Sequence, residues 1–237
     1  MRFLYIFPHP DDESFGPAAA MWRQLQHGHE VHLLTLTKGE ATSVREKLGV
    51  TKSEMADIRY REMLDVADTL GLTSMEVLEL PDSRLARMDP REIEAVVKAY
   101  IQKLRPDIVV TYPVHGNSAF HDHLVTHAVV KRVYLELLDE GADYLKRLAF
   151  ITRRDDGSPT FQNGRIRLKL TEQEQIHAEL DLTDAEINAM KRALECYQTY
   201  QGKIEESGVL DKIGYKLPVE FYNESPRGLL ANIEEGL

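Results

Sequence analysis

An α/β fold with a mainly parallel sheet and helices on both of its faces follows from three features of the chain. Residues 3–7, Phe-Leu-Tyr-Ile-Phe, form a short apolar run of the kind that makes a strand buried on both faces. Similar runs then alternate with segments whose apolar residues recur at helical spacing, which is the order of repeated βαβ units. The residues able to do chemistry cluster just after predicted strands, where an open α/β sheet gathers its ligands.

Each element has its own signal. The first strand ends at Pro8, and residues 17–27 carry helical periodicity that Gly28 interrupts. Residues 31–36 read as the second strand, followed by a polar stretch over 37–52. A helix through Arg59 to Leu70 is stopped by Gly71, and a strand over 75–80 is ended by Pro81. A helix near residues 90–104 precedes a strand over 107–112, and another helix runs from beyond Ala119 to about Leu138. Residues 147–152 suit a further strand.

The last third, from about residue 153, is less regular. Residues 153–159 read as a polar turn, 164–170 alternate like an edge strand, and 184–200 look helical with Thr183 as cap. Gln173-Glu174-Gln175 reads as a solvated face. No internal repeat is visible, and a length of 237 residues suits a single domain over 1–237 with room for a recessed site.

Composition narrows the partners. Acidic residues outnumber basic ones 39 to 29, and a formal charge of -10 argues against a nucleic-acid or anionic-membrane surface. No apolar run approaches a membrane span, the opening run is too short for a signal-peptide core, and Cys196 has no second cysteine to pair with. A cytoplasmic protein acting on a small molecule is the expectation, and whether it forms a homo-oligomer stays open.

Pro8-His9-Pro10-Asp11-Asp12-Glu13 sets one imidazole and three carboxylates directly after the first strand. The ordinary alternative is a hydrogen-bonded histidine followed by acids that cap the next helix. A second cluster, His115, His121, Asp122, His123 and His127, follows the strand that ends near Tyr112. Imidazoles and a carboxylate drawn from two such clusters can make a three-ligand metal site open to water, the mark of catalysis rather than structure. His123 and His127 share helical i,i+4 spacing but lack the intervening glutamate of a metalloprotease helix. His27, His29, His32 and His177 stand alone and read as surface or satisfied core residues.

The Pro8 to Glu13 motif after a first strand, with a later Asp122-His123 opening a helix, resembles the LmbE-like or PIG-L family of N-acetylglucosaminyl deacetylases. Thr37-Lys38-Gly39-Glu40, Arg59-Tyr60-Arg61-Glu62 and Leu80-Pro81-Asp82 resemble further landmarks of that family in the expected order, so the likeness spans most of the chain. It implies a Rossmann-like fold, one Zn2+ per chain, and removal of an N-acyl group, an acetyl in the main, from an amino-sugar derivative such as an N-acetylglucosamine conjugate. Residue by residue, it makes His9, Asp12 and His123 the metal ligands and Asp11 the carboxylate that takes a proton from the attacking water. Arg59 and Asp82 match positions that bind the sugar's hydroxyls or a substituent. Their ordinary alternative is a surface ion pair or a turn residue.

Two departures bear on mechanism. The family commonly has His-Pro-Asp-His where this chain has Phe120-His121-Asp122-His123, so the histidine that in relatives helps protonate the leaving amine or stabilise the oxyanion is replaced by Phe120. His121 is the nearest substitute, His115 the second, and Asp122 could orient whichever imidazole serves. A family histidine near the C-terminal helix is also missing, with Leu194-Glu195-Cys196-Tyr197 in its neighbourhood. Rival readings are a mononuclear non-haem iron enzyme, since two histidines and a carboxylate also suit Fe2+, and a metal- or sugar-binding module that has lost catalysis.

Overall fold

The computed structural model describes residues 1–118, 120–155, 157, 161–162, 166–209, 214–224 and 228–237. In chain order the strands and α-helices are β1 (Arg2–Phe7), α1 (Pro17–Gln26), β2 (Glu30–Thr37), α2 (Val44–Leu48), α3 (Lys52–Leu70), β3 (Ser74–Leu80), α4 (Pro90–Leu104), β4 (Ile108–Thr111), α5 (His121–Asp139) and β5 (Arg147–Ile151). They continue with β6 (Phe161–Gln162), β7 (Ile166–Arg167), β8 (Ala178–Asp181), α6 (Asp184–Cys196), α7 (Gln201–Ser207) and β9 (Lys216–Phe221). The class is mixed α/β with mostly parallel strand pairing, as the βα alternation predicts.

Contacts gather the chain into two compact units, Met1–Ile6 with Arg84–Asp181 and Leu217–Leu237, and Phe7–Ser83 with Leu182–Lys216. In the first, the strand order is β1-β4-β5-β9-β8. β1 runs parallel to β4 with Phe3 opposite Ile108, β4 runs parallel to β5, and β5 meets β9 antiparallel. Phe3, Leu4, Tyr5, Ile6, Val109 and Val110 are wholly buried, which explains why their sequence is continuously apolar rather than alternating. α4 and α5 pack on each other in this unit. α4 begins at Pro90, with the Asp89 carboxylate accepting from Arg91 N–H as its cap.

In the second unit β2 and β3 pair in parallel, and α1, α3 and α6 pack together. α3 and α6 each open with a capping box, Thr51 with Glu54 and Thr183 with Glu186, so two backbone donors at each start are satisfied. Glu186 has a further task. Its carboxylate takes the Arg23 guanidinium of α1 at 2.5 and 2.8 Å inside the packed helices, and that bonding holds it below the ordinary carboxylate range against the opposing effect of burial.

Several expectations are corrected. The polar stretch over 37–52 contains α2. The helix expected over 184–200 ends at Cys196, and residues 198–200 form a 3-10 turn. β8, α7 and β9 were not anticipated. Of the edge strand expected over 164–170, only residues 166–167 pair, with 161–162, and positions 164–165 lie outside the described residues. So do 156, 158 and 159 of the expected polar turn. No helix among the described residues is long and apolar enough to cross a membrane.

Candidate active site

The second unit carries the Pro8 to Glu13 segment on the loop that leaves β1. The Pro8 carbonyl is clamped by both the backbone N–H (3.0 Å) and the hydroxyl (2.8 Å) of Thr37, the last residue of β2. His9 follows, with its N–H donating to Asp12 Oδ2 at 2.9 Å. Its ring sits between two acids, with Nδ1 at 3.4 Å from Asp12 Oδ2 and Nε2 at 3.4 Å from Asp82 Oδ1. Two donors on one tetrahedral zinc, each about 2.0–2.1 Å from it, lie about 3.3 Å apart. The His9 and Asp12 spacing therefore fits a shared metal ion.

Asp11 is built differently from its neighbour. Its φ is 88°, a left-handed backbone that a non-glycine residue adopts at a cost of about 1–3 kcal/mol. The turn is held on every side. Asp11's carbonyl accepts from Ser14 and Phe15 N–H at 2.8 and 3.2 Å, and its own N–H donates to the Tyr197 hydroxyl at 2.8 Å. Arg59 donates from one guanidinium nitrogen to Pro10 O at 2.7 Å and to Asp11 Oδ2 at 3.0 Å. Burial raises the Asp11 carboxyl to about 6, although Arg59 pulls the other way.

Arg59 is not a surface ion pair, for only 1% of it is exposed. Its guanidinium lies 3.9 Å from the Tyr200 ring centre and 5.4 Å from that of Tyr197. Burial opposes its charge, but Asp11, Tyr200 and Tyr197 together outweigh that and raise its pKa. Gly39 makes room for it. With φ at +67°, a Cβ there would stand 3.0 Å from Pro10 Cδ and 3.3 Å from Arg59 Cδ and Nε. Asp82 is equally enclosed, with Oδ2 accepting from Ala41 N–H at 2.6 Å and its own N–H donating to Glu40 at 3.2 Å. The stretches 37–40 and 80–82, read as separate landmarks, are thus bonded to each other.

Glu13, beside Asp12, is wholly buried and accepts from the Ser14 and Tyr197 hydroxyls at 2.6 and 2.7 Å. Burial raises it to about 7, against those two bonds. Its Oε2 has no hydrogen-bond partner among the described residues. Tyr197 and Tyr200 were missed by sequence reasoning. They carry no ligand chemistry, and an aromatic residue just past a helix reads as core. Glu62 fixes their segment by accepting from Thr199 N–H and hydroxyl at 2.7 and 3.0 Å. Arg59 and Glu62, three residues apart on α3, therefore serve the two ends of one assembly.

The first unit carries the histidine cluster. His123 is buried in the first turn of α5, with its ring stacked 4.2 Å from that of Tyr112 and tilted 5.5 Å from that of Phe120. Its Nδ1 lies 2.9 Å from the Gly116 carbonyl and 3.2 Å from Ser118 Oγ. A carbonyl can only accept, so Nδ1 carries the proton and Nε2 the lone pair, the tautomer of a metal-ligating imidazole. Asp122 accepts from Leu85 N–H at 3.2 Å, which ties α5 to the segment after residue 83.

The histidines nearest Phe120 differ in their surroundings. His121 is exposed at the first residue of α5. His115 has Nδ1 accepting from Asn117 N–H at 3.2 Å and Nε2 at 3.0 Å from Thr171 Oγ1, and burial, with Lys169 and His127, lowers its pKa. Both its nitrogens serve the loop. His127 is buried with Nδ1 on the Tyr112 carbonyl at 2.9 Å, and burial lowers it as well.

Comparison with known proteins gives these residues a setting. The family profile described as PIG-L: GlcNAc-PI de-N-acetylase matches residues 4–134. A 1D-myo-inositol 2-acetamido-2-deoxy-alpha-D-glucopyranoside deacetylase of Kineococcus radiotolerans is 29% identical over 168 residues, 60% of this chain and 46% of that protein. The chain spans about half the length of the first curated relatives it matches. Among solved structures, a deacetylase triple mutant of the teicoplanin biosynthetic pathway is similar with a TM-score of 0.71 at 17% identity, covering 95% of this chain and 100% of that one. GalB, the 4-carboxy-2-hydroxymuconate hydratase of Pseudomonas putida KT2440, is similar with a TM-score of 0.66 at 17% identity, covering 94% of this chain and 97% of that one. One fold thus carries a deacetylase and a hydratase, and the fold does not choose the reaction. The matched profile takes in the motif around His9, the Arg59 helix and the Asp122-His123 pair over more than half of the sequence, and on that ground the chain belongs to the PIG-L family.

Proposed function

We propose that residues 1–237 form a zinc-dependent hydrolase that removes an N-acyl group, acetyl foremost, from an amino-sugar derivative such as an N-acetylglucosamine conjugate. The observation that carries this reading is Asp11, a carboxylate held in a left-handed turn by Arg59 beside the His9 and Asp12 donor pair. Family membership and the deacetylase name of the relative from Kineococcus radiotolerans support the substrate class.

His9, Asp12 and His123 are the proposed metal ligands, a set of two imidazoles and one carboxylate. Zinc held by such a set supplies Lewis acidity toward the amide carbonyl and makes water easier to deprotonate. Asp11 takes the proton of the attacking water as its oxygen bonds to the carbonyl carbon. Arg59 occupies Oδ2, which leaves Oδ1 for that proton. His121 returns a proton to the departing nitrogen as the C–N bond breaks, giving carboxylate and free amine. Arg59 and Asp82 line the sugar's side of the site in this reading.

The test is release of acetate from a panel of N-acetylglucosamine conjugates by protein of measured metal content. Turnover with zinc bound is expected. Asp11→Ala should keep its metal and lose about 10²- to 10⁴-fold in turnover, whereas His9→Ala, Asp12→Ala and His123→Ala should each lose metal. Zinc content unchanged in His123→Ala would remove the ligand assignment, and activity that follows iron content would replace zinc with Fe2+.

A further inference from the structure

We propose that Tyr197 is a positioning residue for the Asp11 carboxylate, acting through a strut that runs from Glu13 through the Tyr197 hydroxyl to the Asp11 backbone. The inference rests on the reading of Asp11 as the base.

The strut has a fixed polarity. Glu13 Oε1 accepts the Tyr197 hydroxyl proton at 2.7 Å, so the Tyr197 oxygen turns a lone pair to the Asp11 N–H at 2.8 Å. Glu13 is held in its turn by the Ser14 hydroxyl at 2.6 Å. Glu13 and Tyr197 are both 0% exposed, so no solvent competes for either bond. What the strut holds is the one residue of the motif with a positive φ, 88° at Asp11. A left-handed aspartate persists only where its surroundings over-determine it. Ser14 and Phe15 N–H occupy the Asp11 carbonyl from within the turn, whereas the Asp11 N–H is taken from outside it by Tyr197.

The same tyrosine braces the other side of the carboxylate. Its ring lies 5.4 Å from the Arg59 guanidinium that bonds Asp11 Oδ2. Tyr197→Phe keeps that ring and removes only the oxygen, so it isolates the strut. Without it the Asp11 backbone is released toward negative φ, and its carboxylate leaves the line on which water is deprotonated.

The experiment compares wild type, Asp11→Ala, Tyr197→Phe, Glu13→Leu and Glu13→Gln for kcat, KM, metal content, melting temperature and amide exchange at Asp11 in the metal-free protein. Tyr197→Phe is expected to bind metal and melt like wild type, with kcat lower by about tenfold or more and KM unchanged. Its Asp11 amide should exchange faster by about tenfold. Glu13→Leu should show the same pattern, Glu13→Gln, which keeps an acceptor for the tyrosine, should recover most of that loss, and Tyr197→Phe combined with Glu13→Leu should be no worse than either alone. Wild-type kcat and exchange in Tyr197→Phe, with Asp11→Ala inactive, would overturn the strut and leave the base assignment standing. An active Asp11→Ala would overturn the base assignment itself. Should Tyr197→Phe fail to fold, equal kcat and equal exchange in Glu13→Leu and Glu13→Gln overturn the strut.

Discussion

His9 Nε2 stands 3.4 Å from Asp82 Oδ1, on the side of the ring away from the nitrogen that faces Asp12. A carboxylate on the far nitrogen of a metal-ligating histidine fixes the tautomer and strengthens the ligand. Asp82 can do this because its other oxygen is already anchored by Ala41 N–H.

Asp82→Ala is therefore expected to weaken metal affinity by about 10- to 100-fold while the protein stays folded. Metal titration by competition with a chelating dye measures it. A raised KM with unchanged metal affinity would leave Asp82 with its place beside the sugar and no part in holding His9.

Gly116 supplies the carbonyl that holds His123, and it does so at φ 64° with no space for a side chain. A Cβ at that position would lie 2.8 Å from His123 Cβ. Gly116→Ala should lower stability by about 1–3 kcal/mol, as overpacking does, and weaken metal binding with it. Urea unfolding and metal content would show both, and a fully stable, metal-replete variant would contradict the close approach.

Glu13 gives the metal-free protein a pH dependence whose sign can be worked out. Burial raises its carboxyl from 4.5 to about 7, so between those values the folded state holds a proton that the unfolded state has lost. Stability then falls as pH rises across that window, by at most about 3 kcal/mol at 1.36 kcal/mol per pH unit. Glu13→Gln removes the titration. Its melting temperature should depend less on pH between about 5 and 7 than that of wild type, a difference that calorimetry in chelator-treated protein would detect.

His121→Ala should retain metal and lose turnover with little change in KM, as when an interaction made only in the transition state is removed. His115→Ala should act differently, because its ring bonds Asn117 N–H and Thr171. A loss of melting temperature that exceeds any change in the pH profile is expected there. Unaltered kinetics in His121→Ala would leave the proton on the departing amine to the metal site and solvent.

The alternation of β1 through α5, α2 apart, was legible because apolar runs, helical spacing and Gly or Pro punctuation agree there. β9 was hidden by Pro218, a residue that argues against a strand interior, yet it pairs antiparallel with β5 while the Pro218 carbonyl takes Thr152 N–H. β8, Ala178–Asp181, is short and acidic, and α7 contains Gly202, so neither has a pattern of its own. At the site, His9, Asp11 and Asp12 were visible as a dense cluster of ligand-type residues. Arg59 was visible only by resemblance, and its burial could not be read because the helix around it is mostly polar. Tyr197 had no signal, since its role exists only through hydrogen bonds to residues far away in sequence.

The bond from Tyr197 to Glu13 spans 184 positions, and the unit that contains it is made from Phe7–Ser83 and Leu182–Lys216. Its amino-terminal piece leaves the ribosome long before the piece that completes it. At about 5–20 residues per second, the nascent chain carries Asp11 and Arg59 without their aromatic cover for roughly ten to thirty seconds. A buried ion pair without its packing is a poor nucleus, and closing so long a loop is entropically costly. This unit therefore cannot close on itself until residues 182–216 have been made, so its amino-terminal piece folds late relative to its own synthesis.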